Sequence, residues 1–213
     1  MAYIGKSPTA APLTSSDVAD GIITNAKLAQ DIISADTALA VSPATTDEIL
    51  ISDAGTLKRI DFSLLGNGPV FFAQHADSAA TACSDNTETV VPFAVEKIDT
   101  HSAFASNVFT VPANEGGTYY LYWMVAGYDA SNSIEAMTTN FYVDSTQKKH
   151  QQQFTPNGYR KTLSMTDSIT IALSAAEVCT IKTIINTNDS GDGGINGGGA
   201  GVTCFGGFKL IGV

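Results

Sequence analysis

Between residues 70 and 212 the chain repeats short runs of apolar or alternating residues, each closed by a small polar turn. The runs are VFFAQH (70–75), ETVVPF (88–93), SNVFTV (106–111), TYYLYWMVAGY (118–128), MTTNFYV (137–143), KHQQQF (149–154), RKTLSM (160–165), SITIALS (168–174), EVCTIKTII (177–185) and VTCFGGFKLIG (202–212). None carries the 3.6-residue apolar period of an amphipathic helix, and so many short strands predict an all-β sandwich or barrel. In the run from Tyr119 to Val125, alternation sends Tyr119, Leu121, Trp123 and Val125 to one side and Tyr120, Tyr122 and Met124 to the other. Both sides are apolar, so both must be covered. A facing sheet covers one, and a neighbouring subunit could cover the other. Which set does which is open at this level.

Upstream the pattern changes. Residues 44–69 contain EILISDAGTLKRIDF and then SLLGNGP, which read as a β-hairpin and a linker ending at Gly68-Pro69. Gly55 suits the left-handed position of a three-residue hairpin loop, and a lone hairpin needs something to pack on. Residues 1–43 hold three prolines and scattered aliphatics, Ile4, Leu13, Ile22, Ile23, Leu28, Ile32 and Ile33, too few to close a core. They predict an extended arm that orders on a partner.

Charge and composition exclude several function classes. Only 15% of residues are charged while Gly, Ser, Thr and Asn abound, as in short strands joined by tight turns. The net charge of −10 repels a phosphate backbone, so nucleic acid is not an expected partner. No run reaches the roughly 18 apolar residues of a membrane-spanning helix, and the first residues do not resemble a signal peptide. Three cysteines without C-x-x-C spacing fit buried thiols in a protein made in a reducing cytoplasm.

The candidate chemistry is sparse. The stretch NTNDSGDGGINGGGAG lacks the G-x-x-x-x-G-K-[ST] of a phosphate loop and is followed by a strand, not by a helix N-terminus. It reads as a plain loop between the last two strands. Asp189 and Asp192 could ligate calcium in principle, but the calcium-roll repeat is missing. The histidines 75, 101 and 150 share no metal-ligand spacing. A three-histidine site on a threefold axis would need only one of them, His75 or His101. No nucleophile elbow and no ordered Ser/His/Asp set occurs. The chain is expected not to be an enzyme, with no cofactor and no metal.

A resemblance joins these fragments. FTVPANEGGTYYLYW resembles the F-x-x-P…G-x-Y-x-F signature of the C1q head and its TNF-like relatives, through Phe109, Pro112, Gly117 and Tyr119. LSAAEVCTIK is similar to that family's L-x-x-G-D-x-V, with Ala176-Glu177 in place of Gly-Asp, and CFGGFKLIG to its closing F-x-G-F-x-L strand. The resemblance spans about residues 70–213 and implies a ten-stranded jelly roll that assembles as a homotrimer. Tyr120, Tyr122, Met124, Phe205, Phe208 and Leu210 are then expected in the trimer seam or the core. IGKSPTAAPLTSSDVADGIITNAKLAQDIIS with DEILISDAGTLKRIDFSLL resembles the leaders of tailed-phage virion and tail-fibre proteins. It implies a virion protein whose arm (1–43) attaches to other tail or capsid proteins and whose head meets a host glycan or protein. The alternative within the virion is a capsid decoration or head-fibre protein. The loops expected to make the host contact are 128–133 (Tyr128, Asp129, Asn132), 145–150 (Lys148, Lys149) and 188–201 (Asp189, Asp192, Asn196).

Overall fold

The computed structural model describes residues 39–41, 43–44, 46–62, 65, 68–76, 80–155, 159–191, 193–197 and 202–210. The arm residues Ile4, Leu13, Ile22, Ile23, Leu28, Ile32 and Ile33, and Asp192 of the glycine stretch, lie outside them. The chain divides into two units, Met1–Leu64 and Leu65–Val213.

In the first unit, β1 (Glu48–Asp53) and β2 (Thr56–Asp61) form an antiparallel hairpin. Asp53 pairs with Thr56, and Ala54 and Gly55 both have positive φ, so the turn has two residues and not the expected three. Two left-handed residues match the twist of the flanking strands, as in a type I′ turn. Arg59 and Glu48 pair at 2.7 Å across the ladder.

The second unit is a two-sheet sandwich without an α-helix among the described residues. Its strands are β3 (Val70–Gln74), β4 (Thr81–Cys83), β5 (Thr89–Val90), β6 (Val95–Asp99), β7 (Phe104–Ala105), β8 (Val108–Thr110), β9 (Gly117–Tyr128), β10 (Ile134–Val143), β11 (Thr146–Phe154), β12 (Thr162–Leu173), β13 (Val178–Thr187), β14 (Gly193–Ile195) and β15 (Cys204–Lys209). In one sheet β9 lies between β12 and the end-to-end pair β15 and β14, which lead to β3 and β4 and then to β6. In the other the order is β11, β10, β13, then β8 and β5 end to end, then β7. Each sheet is five strand positions wide, which makes a ten-stranded jelly roll.

Three expectations change in detail. RKTLSM and SITIALS are one continuous strand, β12, because its twelve residues pair without a break along β9. The plain glycine loop contains a strand: β14 pairs with both β9 and β4. Glycine is needed there, since a Cβ on Gly193 would stand 2.8 Å from Ile185 Cγ2. Lys148 and Lys149 do not sit in a loop; the turn is only Asp144-Ser145, both at positive φ, and β11 begins at Thr146.

The core is aromatic at one end. Phe71 stacks on Phe109 with ring centroids 4.4 Å apart and meets Phe205 edge-on at 4.9 Å. Further along, Trp123 stacks on Phe141 from the opposite sheet at 5.5 Å. Lys149 Nζ closes the open side of the sandwich by donating to Asp167 Oδ1 and to Ser168 O, both at 2.6 Å. Ala176 takes the left-handed conformation (φ 70°) where the family pattern has glycine, while Glu177 Oε2 accepts from Ser174 N–H at 2.6 Å and holds the turn.

Candidate assembly face and contact end

Along β9 the alternation resolves the two sets of residues. Tyr119, Leu121, Trp123 and Val125 are buried between the sheets, while Tyr120, Tyr122 and Met124 point outward and are half-buried. Antiparallel partners directly opposite one another share a face, so the register builds the outer surface in rows. One row is Thr170, Tyr120, Phe208 and Val70; the next is Ser168, Tyr122, Gly206, Phe72 and Ile98; the third is Thr166, Met124, Cys204, Gln74 and Val95. No position in these rows is charged.

The rings on this face rest on one another. Tyr120 lies 5.6 Å from Phe208 and 6.2 Å from Tyr122, and Tyr122 lies 6.4 Å from Phe72. Tyr122 lies flat across Gly206, where a Cβ would come within 2.6 Å of the phenol oxygen. Burial pushes the Tyr122 phenol pKa up, with smaller contributions from Cys204 and Tyr120. Val70, Ile98 and Phe208 keep 38%, 49% and 40% of their surface exposed, an unusual apolar exposure for three neighbours on one sheet. Of the six residues expected in the seam or core, Tyr120, Tyr122, Met124, Phe208 and Leu210 are absent from the buried core. Phe205 is fully buried inside it. Val70, Phe72 and Ile98 join the face only through strand register, a signal their own short runs do not carry.

The outer face of the other sheet is built differently. Glu88 Oε1 accepts from Asn140 Nδ2 (2.9 Å) and the Tyr142 hydroxyl (2.7 Å), and Glu88 Oε2 accepts from Lys182 Nζ (3.1 Å). Partial burial opposes ionisation of Glu88, but the donations from Tyr142, Asn140 and Lys182 prevail and hold its pKa below the usual range. His150 Nδ1 lies 2.8 Å from Asn140 Oδ1, and Lys182 Nζ stands 4.3 Å over the Tyr142 ring. This face satisfies its own polar groups and suits water.

The ends of the sandwich differ as well. The chain enters beside its last strand, where Lys209 N–H donates to Pro69 O at 3.0 Å. Since β9 is twelve residues long, the opposite end lies about 36 Å away. That far end carries residues 128–133, 188–191 and 193–197. Asp129 Oδ2 fixes the first loop by accepting from Ser133 N–H and Oγ–H, both at 2.9 Å, with Asn132 at positive φ. In the second, Thr187 Oγ–H donates to Gly191 O at 2.7 Å, and the Gly191 N–H holds the Asp189 carboxyl below the usual range. Asn196 N–H donates to Ala126 O at 2.7 Å, tying the glycine stretch to β9.

Of the residues expected in the host-contact loops, Tyr128, Asp129, Asn132, Asp189 and Asn196 belong to this far end. Lys148 and Lys149 belong to β11, near the end where the chain enters, and Lys149 is committed to Asp167. Beside Tyr128 and Asp129 lies a shallow depression of about 210 Å³, lined also by Ala80, Ala82, Ala130, Gly193 and Gly194.

The two histidine candidates are held differently. Buried His75 bonds through both nitrogens, Nδ1 to Ala76 O at 2.8 Å and Nε2 to Thr81 Oγ at 2.9 Å, and His101 Nδ1 lies 2.8 Å from Thr100 Oγ. Among the described residues no group of three or more His, Cys, Asp or Glu side chains is placed to hold a metal ion.

No protein-family model and no curated protein sequence matches the chain. Solved structures do. The globular domain of zebrafish complement 1qA is similar at 15% identity with a TM-score of 0.44, covering 67% of this chain and 98% of its own. The crystal structure of murine APRIL at pH 8.0 is similar at 15% identity with a TM-score of 0.50, covering 68% of this chain and 100% of its own. With ten strand positions in two packed sheets and this likeness to APRIL, the second unit has the C1q/TNF-like jelly-roll fold.

Proposed function

We propose that this chain is a structural protein of a tailed-phage virion, a homotrimeric short tail fibre or spike. The observation that carries the proposal is the contrast between the two outer faces of the sandwich: one polar and self-satisfied, the other apolar, aromatic and uncharged. A face of the second kind is the composition of an interface core, where charged residues are depleted and tyrosine, phenylalanine and methionine enriched. Three copies joined through it bury Val70, Phe72, Ile98, Tyr120, Tyr122, Met124 and Phe208, and cover the sheet's edges. Residues 1–43 attach the trimer to other virion proteins, and the far-end loops, repeated three times, turn weak host contacts into avidity. The role is adhesive and mechanical, not catalytic. The likeness of the leader to tail-fibre leaders supports the virion part of this reading.

Two measurements test it. Light scattering on the full-length protein should give three times the chain mass of 22.2 kDa, and deletion of residues 1–43 should leave a trimer that no longer joins particles. A monomer, or normal incorporation of the truncated chain, refutes the division of labour. Labelled antibody on intact particles should mark a few copies at the tail; labelling all over the shell would instead make it a capsid decoration protein.

A further inference from the structure

We propose that the β1–β2 hairpin is a trimerisation neck whose partners are the same hairpins of two further copies of this chain, with β1 nearest the threefold axis. The neck rests on the homotrimer proposed above and adds to it a contact that the head does not supply.

Antiparallel register fixes what each face of the hairpin carries. One face holds Ile49, Ile51 and Ile60, with Lys58 and Asp53 paired toward the turn. The other holds Leu50 and Leu57, with Arg59 and Glu48 paired toward the open end. Ile49 and Ile51 keep 40% and 36% of their surface exposed, and Leu50 and Leu57 keep 67% and 68%. At about 200 Å² for a whole aliphatic residue, that leaves roughly 400 Å² of apolar surface per hairpin. It lies on opposite sides of a ribbon too thin to have an interior.

Two opposed apolar faces decide the symmetry. A twofold dimer joins like faces and covers only one of them, whereas a closed threefold ring joins unlike faces and gives every copy a neighbour on each side. Three hairpins together then bury ~1,200 Å² of apolar surface, the lower bound of a stable interface. The strands decide the orientation. β1 is apolar on both faces at Ile49, Leu50 and Ile51, while directly opposite Leu50 and Ile51 β2 carries Arg59 and Lys58. β1 therefore suits the crowded axis, and β2 suits water. The charges permit the approach, since four of the five charged side chains of the hairpin are paired within it. Only residues 62–69 separate β2 from Val70 of the aromatic face, about 30 Å of chain at full extension, so a head trimer holds three hairpins at roughly millimolar effective concentration.

The test uses cysteine pairs in the full-length protein, whose own three thiols are buried. After oxidation with copper phenanthroline, Leu50→Cys/Ile51→Cys should run as a covalent trimer on a non-reducing gel, because each chain links to two others through opposite faces. Either single variant should stop at the dimer. Lys58→Cys/Arg59→Cys, at the same level of the outer strand, should stay uncross-linked. Leu50→Asp should raise the trimer dissociation constant at least ~100-fold while the melting curve of the head stays unchanged. A protein that is trimeric by light scattering but whose β1 pair gives no covalent trimer overturns the neck and leaves the head trimer standing. Covalent dimer alone, or equal cross-linking of the β2 pair, overturns the threefold arrangement about β1. Cross-linking that appears only once residues 1–43 are deleted would show the arm covering the hairpin, and overturns the neck as well. A monomer by light scattering overturns the homotrimer itself, and the neck with it.

Discussion

Phe208→Asp separates assembly from folding. Phe208 lies on the outer face against Tyr120 and keeps 40% of its surface exposed in the protomer. A phenylalanine offers about 200 Å² of side-chain surface, so about 80 Å² remains for a neighbour to cover. At ~25 cal/mol per Å² that coverage is worth about 2 kcal/mol per copy, or about 6 kcal/mol over three. Removing it raises the trimer dissociation constant by about 10⁴-fold, before the further cost of placing a carboxylate in an apolar seam. The isolated head should still fold, because the substitution opens no hole between the sheets. Phe205→Ala is the contrasting variant: the side chain is fully buried, and its loss should cost about 3–5 kcal/mol of folding stability. Sedimentation equilibrium across low micromolar concentrations, paired with thermal melts, reads both quantities. A Phe208→Asp protein that stays trimeric throughout that range would show that the aromatic face is not the seam, and the assembly argument would fall with it.

Two further outcomes follow from groups inside the head. Asp99 accepts from the backbone N–H of Ala103 (2.9 Å), Phe104 (2.8 Å) and, more loosely, His101 (3.2 Å), so Asp99→Ala should cost about 2–4 kcal/mol and lower Tm by roughly 5–10 °C in a calorimetric scan. An unchanged Tm would mean that water replaces the carboxylate without loss. Burial pushes the Cys179 thiol pKa from its ordinary 9.0 up to about 12, and the Tyr119 phenol pKa from 10.0 to about 12. Above pH 9 the unfolded chain loses these protons and the folded chain retains them, so stability is full below that pH and is progressively lost as pH rises toward 12. Urea midpoints that hold steady from pH 8 to 11 would contradict the burial of both groups.

The period of two along residues 118–128 already required a strand with two apolar faces, and the turn residues between the runs required many short strands in two layers. Those properties are local: they depend on side-chain alternation and on backbone preferences that each segment carries by itself. What the segment could not decide was which face of β9 would be core. That choice depends on the register with β15 and β12, which puts Gly206 under Tyr122 and Trp123 opposite Phe205. Segments without side chains were illegible for the same reason, and Gly193–Ile195 became a strand only because two neighbours leave hydrogen-bonding edges free for it. Lys149 was expected in a host-contact loop, yet the approach of two sheet edges turned it into a bond to Asp167.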